Sequence, residues 1–140
     1  IEEKKYVETL SISKGIHFLG ALDGIQKHTI FSISDLFVLP SKTENFGISI
    51  AEAMSYKLPI ITTTGTPWQV IKEKEAGWWV ELSQENIDNT LEEALHCSKE
   101  ELKAKGYKGF DIIKHYTWDK QALKMKQTYE NILNKKKANK

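Results

Sequence analysis

The chain has 140 residues and a mass of 16.1 kDa, the size of one domain with room for a protruding tail. Hydrophobic residues make up 40% and charged residues 28%, a globular balance that excludes disorder and fibrous repeats. With 20 cations against 19 anions, no long-range field draws the chain to nucleic acid or to an anionic membrane. Every cation is Lys and Arg is absent, so an anion must be held by backbone amides, by Lys, or by groups outside this chain. The lone Cys97 excludes a disulfide framework and fits a reducing cytoplasm. No apolar run approaches the roughly 20 residues that a membrane helix needs. The chain opens at Ile1, without Met, inside a charged stretch, and is expected to be a piece of a longer protein.

Residues 1–13 read as a short helix, with Tyr6, Val7 and Leu10 on one side. Gly15 breaks it, and 16–19 follow as a short β run before Gly20. Asp23 is placed to cap a helix over 24–32, with Ile25, Ile30, Phe31 and Ile33 as apolar contacts. Residues 35–39 read as a buried strand stopped by Pro40, 41–46 as a polar loop, and 47–56 as a helix. A second β-branched strand covers 59–63 and ends at Gly65. Thr66, Pro67 and Gln69 have the order of a helix start, with Thr66 at the N-cap and Gln69 closing a capping box. That helix is expected to reach Gly77, followed by a strand over 78–82. Ser83 opens a helix to about Cys97, and Ser98 with Glu101 forms a capping box that begins another, to about His115. Thr117 caps a last helix, where Trp118, Ala122, Met125, Tyr129 and Ile132 or Leu133 recur at helical spacing. The basic end, 135–140, is expected to fray. Strands that alternate with helices and are apolar rather than alternating imply a parallel sheet covered on both faces: an α/β Rossmann-like unit with C-terminal helices.

Ligands of such sheets bind beyond the carboxyl ends of the strands, which singles out the loops after Leu19, Leu39 and Thr63. The second loop runs Ser41-Lys42-Thr43-Glu44-Asn45-Phe46-Gly47-Ile48 into a helix carrying Glu52. A glycine at a helix start admits close approach to the backbone, and the first turn presents N–H groups without intrahelical partners. The helix dipole favours an anion there by about 0.3–1 kcal/mol when exposed. Glu44 and Glu52 lie eight positions apart. On spacing alone they read as a solvated loop residue and a solvated helix residue. The other reading has them gripping two hydroxyl-bearing parts of one extended ligand, and not forming a proton-sharing dyad.

Phe18-Leu19-Gly20, the run from Ser34 to Ser41, the run from Glu44 to Met54 and Lys57-Leu58-Pro59-Ile60-Ile61-Thr62 together resemble the C-terminal domain of family 4 retaining glycosyltransferases of the GT-B fold, glycosyl transferases group 1. Thr66-Pro67-Trp68 and Gly77-Trp78-Trp79-Val80 resemble the branch found among bacterial surface-polysaccharide enzymes. The resemblance implies a nucleotide-sugar-binding domain over 1–134, one half of a GT-B fold. It implies a catalytic role for Glu44 at the transferred sugar, and amides around Asn45, Phe46, Gly47 and Ile48 that hold sugar and diphosphate. Glu52 would accept from the ribose hydroxyls, and Gly20 and Leu22 would border the base. No metal and no cofactor are implied, the nucleoside-diphosphate sugar being the substrate. An acceptor domain, together with the Arg and Lys that clamp the diphosphate, would lie upstream of Ile1. This chain departs from the family at Gly65-Thr66-Pro67-Trp68-Gln69, where many relatives carry a Gly-x-Pro-Glu loop.

Other residues read more plainly. His17, His28, His96 and His115 are scattered, without the spacing of metal ligands. Cys97 reads as a small buried hydrophobe within a helix. Trp78 and Trp79 alternate along a strand, so at least one is core. Lys42 reads as a solvated loop residue, with a phosphate contact as its alternative. The seven Lys of 120–140 against Glu130 fit a solvated helix face, with peripheral contact at the inner face of the membrane as the alternative. The expected setting is cytoplasmic. A GT-B nucleotide-sugar epimerase and a non-catalytic nucleotide-binding or interaction module stand as alternatives to the transferase.

Overall fold

The computed structural model describes residues 2–138, which divide into two compact units, Ile1–Ser32 and Ile33–Lys140. In the first unit, helix α1 covers Glu2–Glu8, its opening acids Glu2 and Glu3 matched to the positive end of the helix dipole. A 3₁₀ turn over Ser13–Gly15 follows, and α2 covers Gly24–Ile33, where the Asp23 carbonyl accepts from the amides of Gln26 and Lys27. The run 16–19, expected as a strand, pairs with no strand among the described residues, and Phe18 and Leu19 are exposed. Apolar composition alone does not make a strand, because the ladder is completed only by a partner. On α2, Ile30 and Phe31 are half-buried but Ile25 and Ile33 are exposed.

The second unit is built on a parallel sheet in the order β1-β2-β3, with β1 Phe37–Leu39, β2 Ile60–Thr63 and β3 Gly77–Val80. The register pairs Phe37 with Ile60 and Ile61 with Trp78. All four residues of β2 are buried, and since successive strand residues face opposite sides, both faces of the central strand are covered. On the outer strand β1, Val38 retains 37% of its exposure. Helix α3, Ile48–Ser55, packs on β1, β2 and α6; α4 (Val70–Glu73), α5 (Gln84–His96) and α6 (Lys99–Ile113) all reach β3. Ile50 and Met54 of α3, Ile60 and Ile61 of β2, Trp68 and Ile71 form the buried interior. Each such side chain contributes about 1.5–3 kcal/mol by leaving water.

Gly106 and Gly109 of α6 make the α3 contact possible. A side-chain carbon at Gly106 would lie 1.8 Å from the Lys57 carbonyl oxygen, and one at Gly109 would lie 3.2 Å from Met54 Cγ. The caps follow the sequence closely: Ser83 Oγ accepts from the Asn86 amide at 3.2 Å, and Ser98 and Glu101 close a full capping box. Trp78 is core, with Lys105 Nζ 4.7 Å above its ring, and Trp79 is half-buried. Cys97 is the C-cap of α5 and packs half-buried against the cluster of Ile61, Trp78 and Ala94.

One expectation fails here for an identifiable reason. Thr66 does not cap a helix: its hydroxyl donates to the Thr63 carbonyl at 2.9 Å, and α4 begins only at Val70, with Gln69 at the N-cap and no side-chain cap bond. Along α7, Trp118–Ala138, the apolar residues at helical spacing are exposed, Trp118 to 91% and Met125, Tyr129, Ile132 and Leu133 all substantially. The helix continues through Ala138, into the tail expected to fray from 135; residues 139 and 140 lie outside the described residues.

Candidate functional site

Because the three strands run parallel, their carboxyl ends share one edge, and the loop after Leu39 meets the turn after Thr63 there. These two segments are laced together along their backbones. The Thr63 hydroxyl donates to the Ser41 carbonyl and lies 2.9 Å from the Ser41 amide. The Glu44 amide donates to the Gly65 carbonyl at 2.9 Å, and the Trp68 indole N–H donates to the Phe46 carbonyl. Gly65 has no room for a side chain, since its first carbon would lie 2.2 Å from the Lys42 carbonyl oxygen.

The lacing ends at Gly47, the N-cap of α3, with φ of 74° and ψ of 62°. This left-handed conformation suits glycine because it lacks a Cβ. Gly47 supplies no side-chain cap, so the first amides of α3 are left to other acceptors. Among the described residues the amides of Gly47, Ile48 and Ser49 have no intramolecular acceptor, whereas Ile50 and Ala51 donate to the Gly47 carbonyl. Asn45 and Phe46 are exposed before them.

Glu44, three residues before Gly47, is half-buried. Its carboxylate is approached by the Ser41 hydroxyl at 3.5 Å, but that hydroxyl also donates to the Thr43 carbonyl at 3.0 Å. One proton serves two acceptors, so most of the carboxylate's accepting capacity is left for hydroxyl donors. Glu52 is half-buried on the second turn of α3, about 7.5 Å along the helix axis from Gly47 at the standard rise. Residues 44–48 and Glu52 thus form one continuous loop-and-helix start. Gly20 and Leu22 belong to the first unit, Gly20 with φ of 73° and Leu22 half-buried, and are placed with that unit alone. Lys42 is exposed.

Sequence reasoning passed over the residues that hold the loop: Thr63, Gly65, and above all Trp68, which is 1% exposed. Trp68 sits against Phe46, with ring centroids 5.1 Å apart, and against Tyr116, with centroids 5.4 Å apart. The Gly65-Thr66-Pro67 turn was the available signal, because a glycine directly after a β-branched strand marks a close backbone approach. A separate cavity of about 570 Å³ opens between α4 and the end of α6, lined by Val70, Glu73, Lys108, Asp111, Ile112 and Tyr116, and contains none of the expected site residues. Among the described residues no helix is long and apolar enough to cross a membrane.

Comparison with known proteins bears on this arrangement. Residues 2–110 match the model of the family described as glycosyl transferases group 1. A probable sucrose-phosphate synthase of Thermosipho melanesiensis is 32% identical over 101 residues, 71% of this chain and 22% of that protein. The alpha-1,3/1,6-mannosyltransferase ALG2 of Yarrowia lipolytica is 24% identical over 110 residues, 78% of this chain and 24% of that protein. Among solved structures, the sucrose-phosphate synthase of Thermosynechococcus elongatus superposes with a TM-score of 0.79 at 23% identity, over 95% of this chain and 34% of that one. WaaG, a glycosyltransferase involved in lipopolysaccharide biosynthesis, gives 0.70 at 23% identity, over 90% and 34%. The chain therefore spans about a quarter of the curated relatives and a third of these structures, and it has the α/β fold of half a GT-B protein. With residues 2–110 matched to that family model, the chain belongs to the group 1 glycosyl transferases.

Proposed function

We propose that this chain is the donor-binding domain of a retaining glycosyltransferase, which moves a sugar from a nucleoside diphosphate to a hydroxyl acceptor. The observation that carries the reading is the left-handed Gly47 at the start of α3, whose uncommitted amides follow Glu44 and precede Glu52. Amides donate to phosphate oxygens and carboxylates accept from hydroxyls, so the order acid, amide array, acid matches the order sugar, diphosphate, ribose. In this scheme the amides of Gly47 and Ile48, with the α3 dipole, stabilise the negative charge that grows on the departing diphosphate. Glu44 orients the transferred sugar, and Glu52 fixes the ribose. Retention follows from same-face attack with the leaving phosphate assisting, and no covalent nucleophile is assigned. The remaining diphosphate clamp and the acceptor site belong to parts of the full-length protein outside these 140 residues. A role in bacterial surface polysaccharide or glycolipid synthesis is supported by the Thr66-Pro67-Trp68 and Gly77-Trp78-Trp79-Val80 segments.

The test uses the full-length protein. A thermal-shift screen of UDP-, GDP- and ADP-sugars identifies the donor, and calorimetry then measures nucleotide binding. Glu52→Ala is expected to weaken nucleoside-diphosphate affinity by about 1–3 kcal/mol, the loss expected when hydroxyls lose a charged acceptor. Glu44→Ala is expected to leave that affinity largely intact and to abolish acceptor-dependent release of nucleotide. Donor breakdown or isomerisation independent of acceptor would indicate an epimerase, and donor binding without turnover, or no donor binding, a non-catalytic module; any of these overturns the transferase reading.

A further inference from the structure

The residue that sets the direction of the amide array is not in the array. Trp68 lies on the other segment, in the turn after β2, where Thr66 Oγ1 donates to the Thr63 carbonyl and the Trp79 indole N–H donates to the Thr66 carbonyl at 3.2 Å. Held at that turn and itself 1% exposed, Trp68 donates its indole N–H to the Phe46 carbonyl in a partly buried bond. A hydrogen bond shielded in this way is stronger than an exposed one, and its loss leaves a polar group without a partner. The Phe46 carbonyl and the Gly47 N–H are two ends of one peptide plane, and in a trans peptide they point in opposite directions. Fixing the carbonyl toward Trp68 therefore fixes the Gly47 N–H on the opposite side of that peptide, away from the indole. The fit is mutual, because a Cβ on Gly47 would lie 3.3 Å from Trp68 Nε1.

We propose that Trp68 is a positioning residue for the donor: by holding the Phe46–Gly47 peptide plane it aims the Gly47 amide, and the helix start behind it, at the diphosphate of the bound nucleotide sugar. This rests on the reading of residues 44–48 as the donor loop. Trp68 touches no substrate in this scheme. It acts through the one peptide, with Phe46 and Tyr116 packed around its ring to stop the indole turning.

The experiment measures kcat, donor KM and acceptor KM in the full-length enzyme for Trp68→Phe, Ile71→Val and Glu52→Ala, at a temperature well below every variant's unfolding midpoint. Trp68→Phe keeps an aromatic ring and removes the N–H; Ile71→Val loosens the same interior without touching the loop. Trp68→Phe is expected to raise donor KM about tenfold, the loss of one shielded hydrogen bond, while acceptor KM stays within twofold and Ile71→Val leaves both unchanged. Should Trp68→Phe fail to fold, incorporation of 3-benzothienylalanine at position 68, which replaces only the N–H by sulfur, carries the same expectation. Donor KM unchanged in the Trp68 variant while Glu52→Ala weakens the donor overturns the positioning role. Donor affinity unchanged in both overturns the donor-site reading beneath it.

Discussion

At Gly47 the backbone takes φ of 74° and ψ of 62°, a conformation that costs an L-residue with a side chain about 1–2 kcal/mol. The same position is crowded: an added Cβ would meet Ile50 Cδ1 at 3.1 Å and Trp68 Nε1 at 3.3 Å. Gly47→Ala is therefore expected to lower unfolding free energy by about 1–2 kcal/mol, read as a lower urea midpoint at unchanged slope. A midpoint equal to the parent's would mean that the loop relaxes to a right-handed start and that the left-handed cap is not needed. The glycine and the acids around it were legible in the sequence, because each carries its chemistry locally: an absent Cβ, a carboxylate, a helix about to begin. Trp68 was not, because what matters about it is the Phe46 carbonyl, 22 positions away, and no local pattern encodes that pairing.

Helix starts show the same division between local and remote causes. Ser83, and Ser98 with Glu101, cap their helices as read, because a capping box is complete within four residues. Thr66 satisfied the same pattern and capped nothing, since its hydroxyl was taken by the Thr63 carbonyl of the preceding strand end. The α6 cap carries a measurable pH dependence. Glu101 Oε2 accepts from the Ser98 amide at 2.7 Å, and this bond, then the one with the Ser98 side chain, holds the Glu101 carboxyl below its ordinary 4.5. A carboxyl whose pKa is lower folded than unfolded contributes stability fully above the unfolded value, and that contribution is lost as pH falls through the folded one. Glu101→Gln keeps a neutral acceptor and removes the charge. The parent's advantage over Glu101→Gln in urea midpoint is expected to be constant near neutral pH, to shrink below pH 4.5, and to vanish once Glu101 is protonated. A gap that persists unchanged through the acid range would show that the charge contributes nothing to the cap.

Over the whole molecule, the alternation of apolar strands and helices was enough to reveal the parallel sheet, because β2 is buried on both faces and its composition records both. The same reasoning overreached at 16–19, since apolar residues imply a buried element only if something is there to cover it. Helix α7 has 21 residues and presents Trp118, Leu123, Met125, Tyr129, Ile132 and Leu133 to solvent, and it is absent from the close element pairings that hold α3 to α6 and the strands to one another. A helix in water draws most of its stability from packing an apolar face, not from intrinsic propensity. In this 140-residue chain the amides of α7 are accordingly expected to exchange with deuterium much faster than those of α5 and α6, which open only when the sheet and its covering helices open together. Peptide-resolved exchange at neutral pH reads this directly. Protection of residues 118–135 equal to that of 99–113 would mean that the apolar stripe is covered, and would refute its exposure. The reason is energetic: helix hydrogen bonds facing water on most sides can break one turn at a time, whereas those of α6 cannot break without separating Gly109 from Met54 of α3 and Gly106 from the Lys57 backbone that follows it.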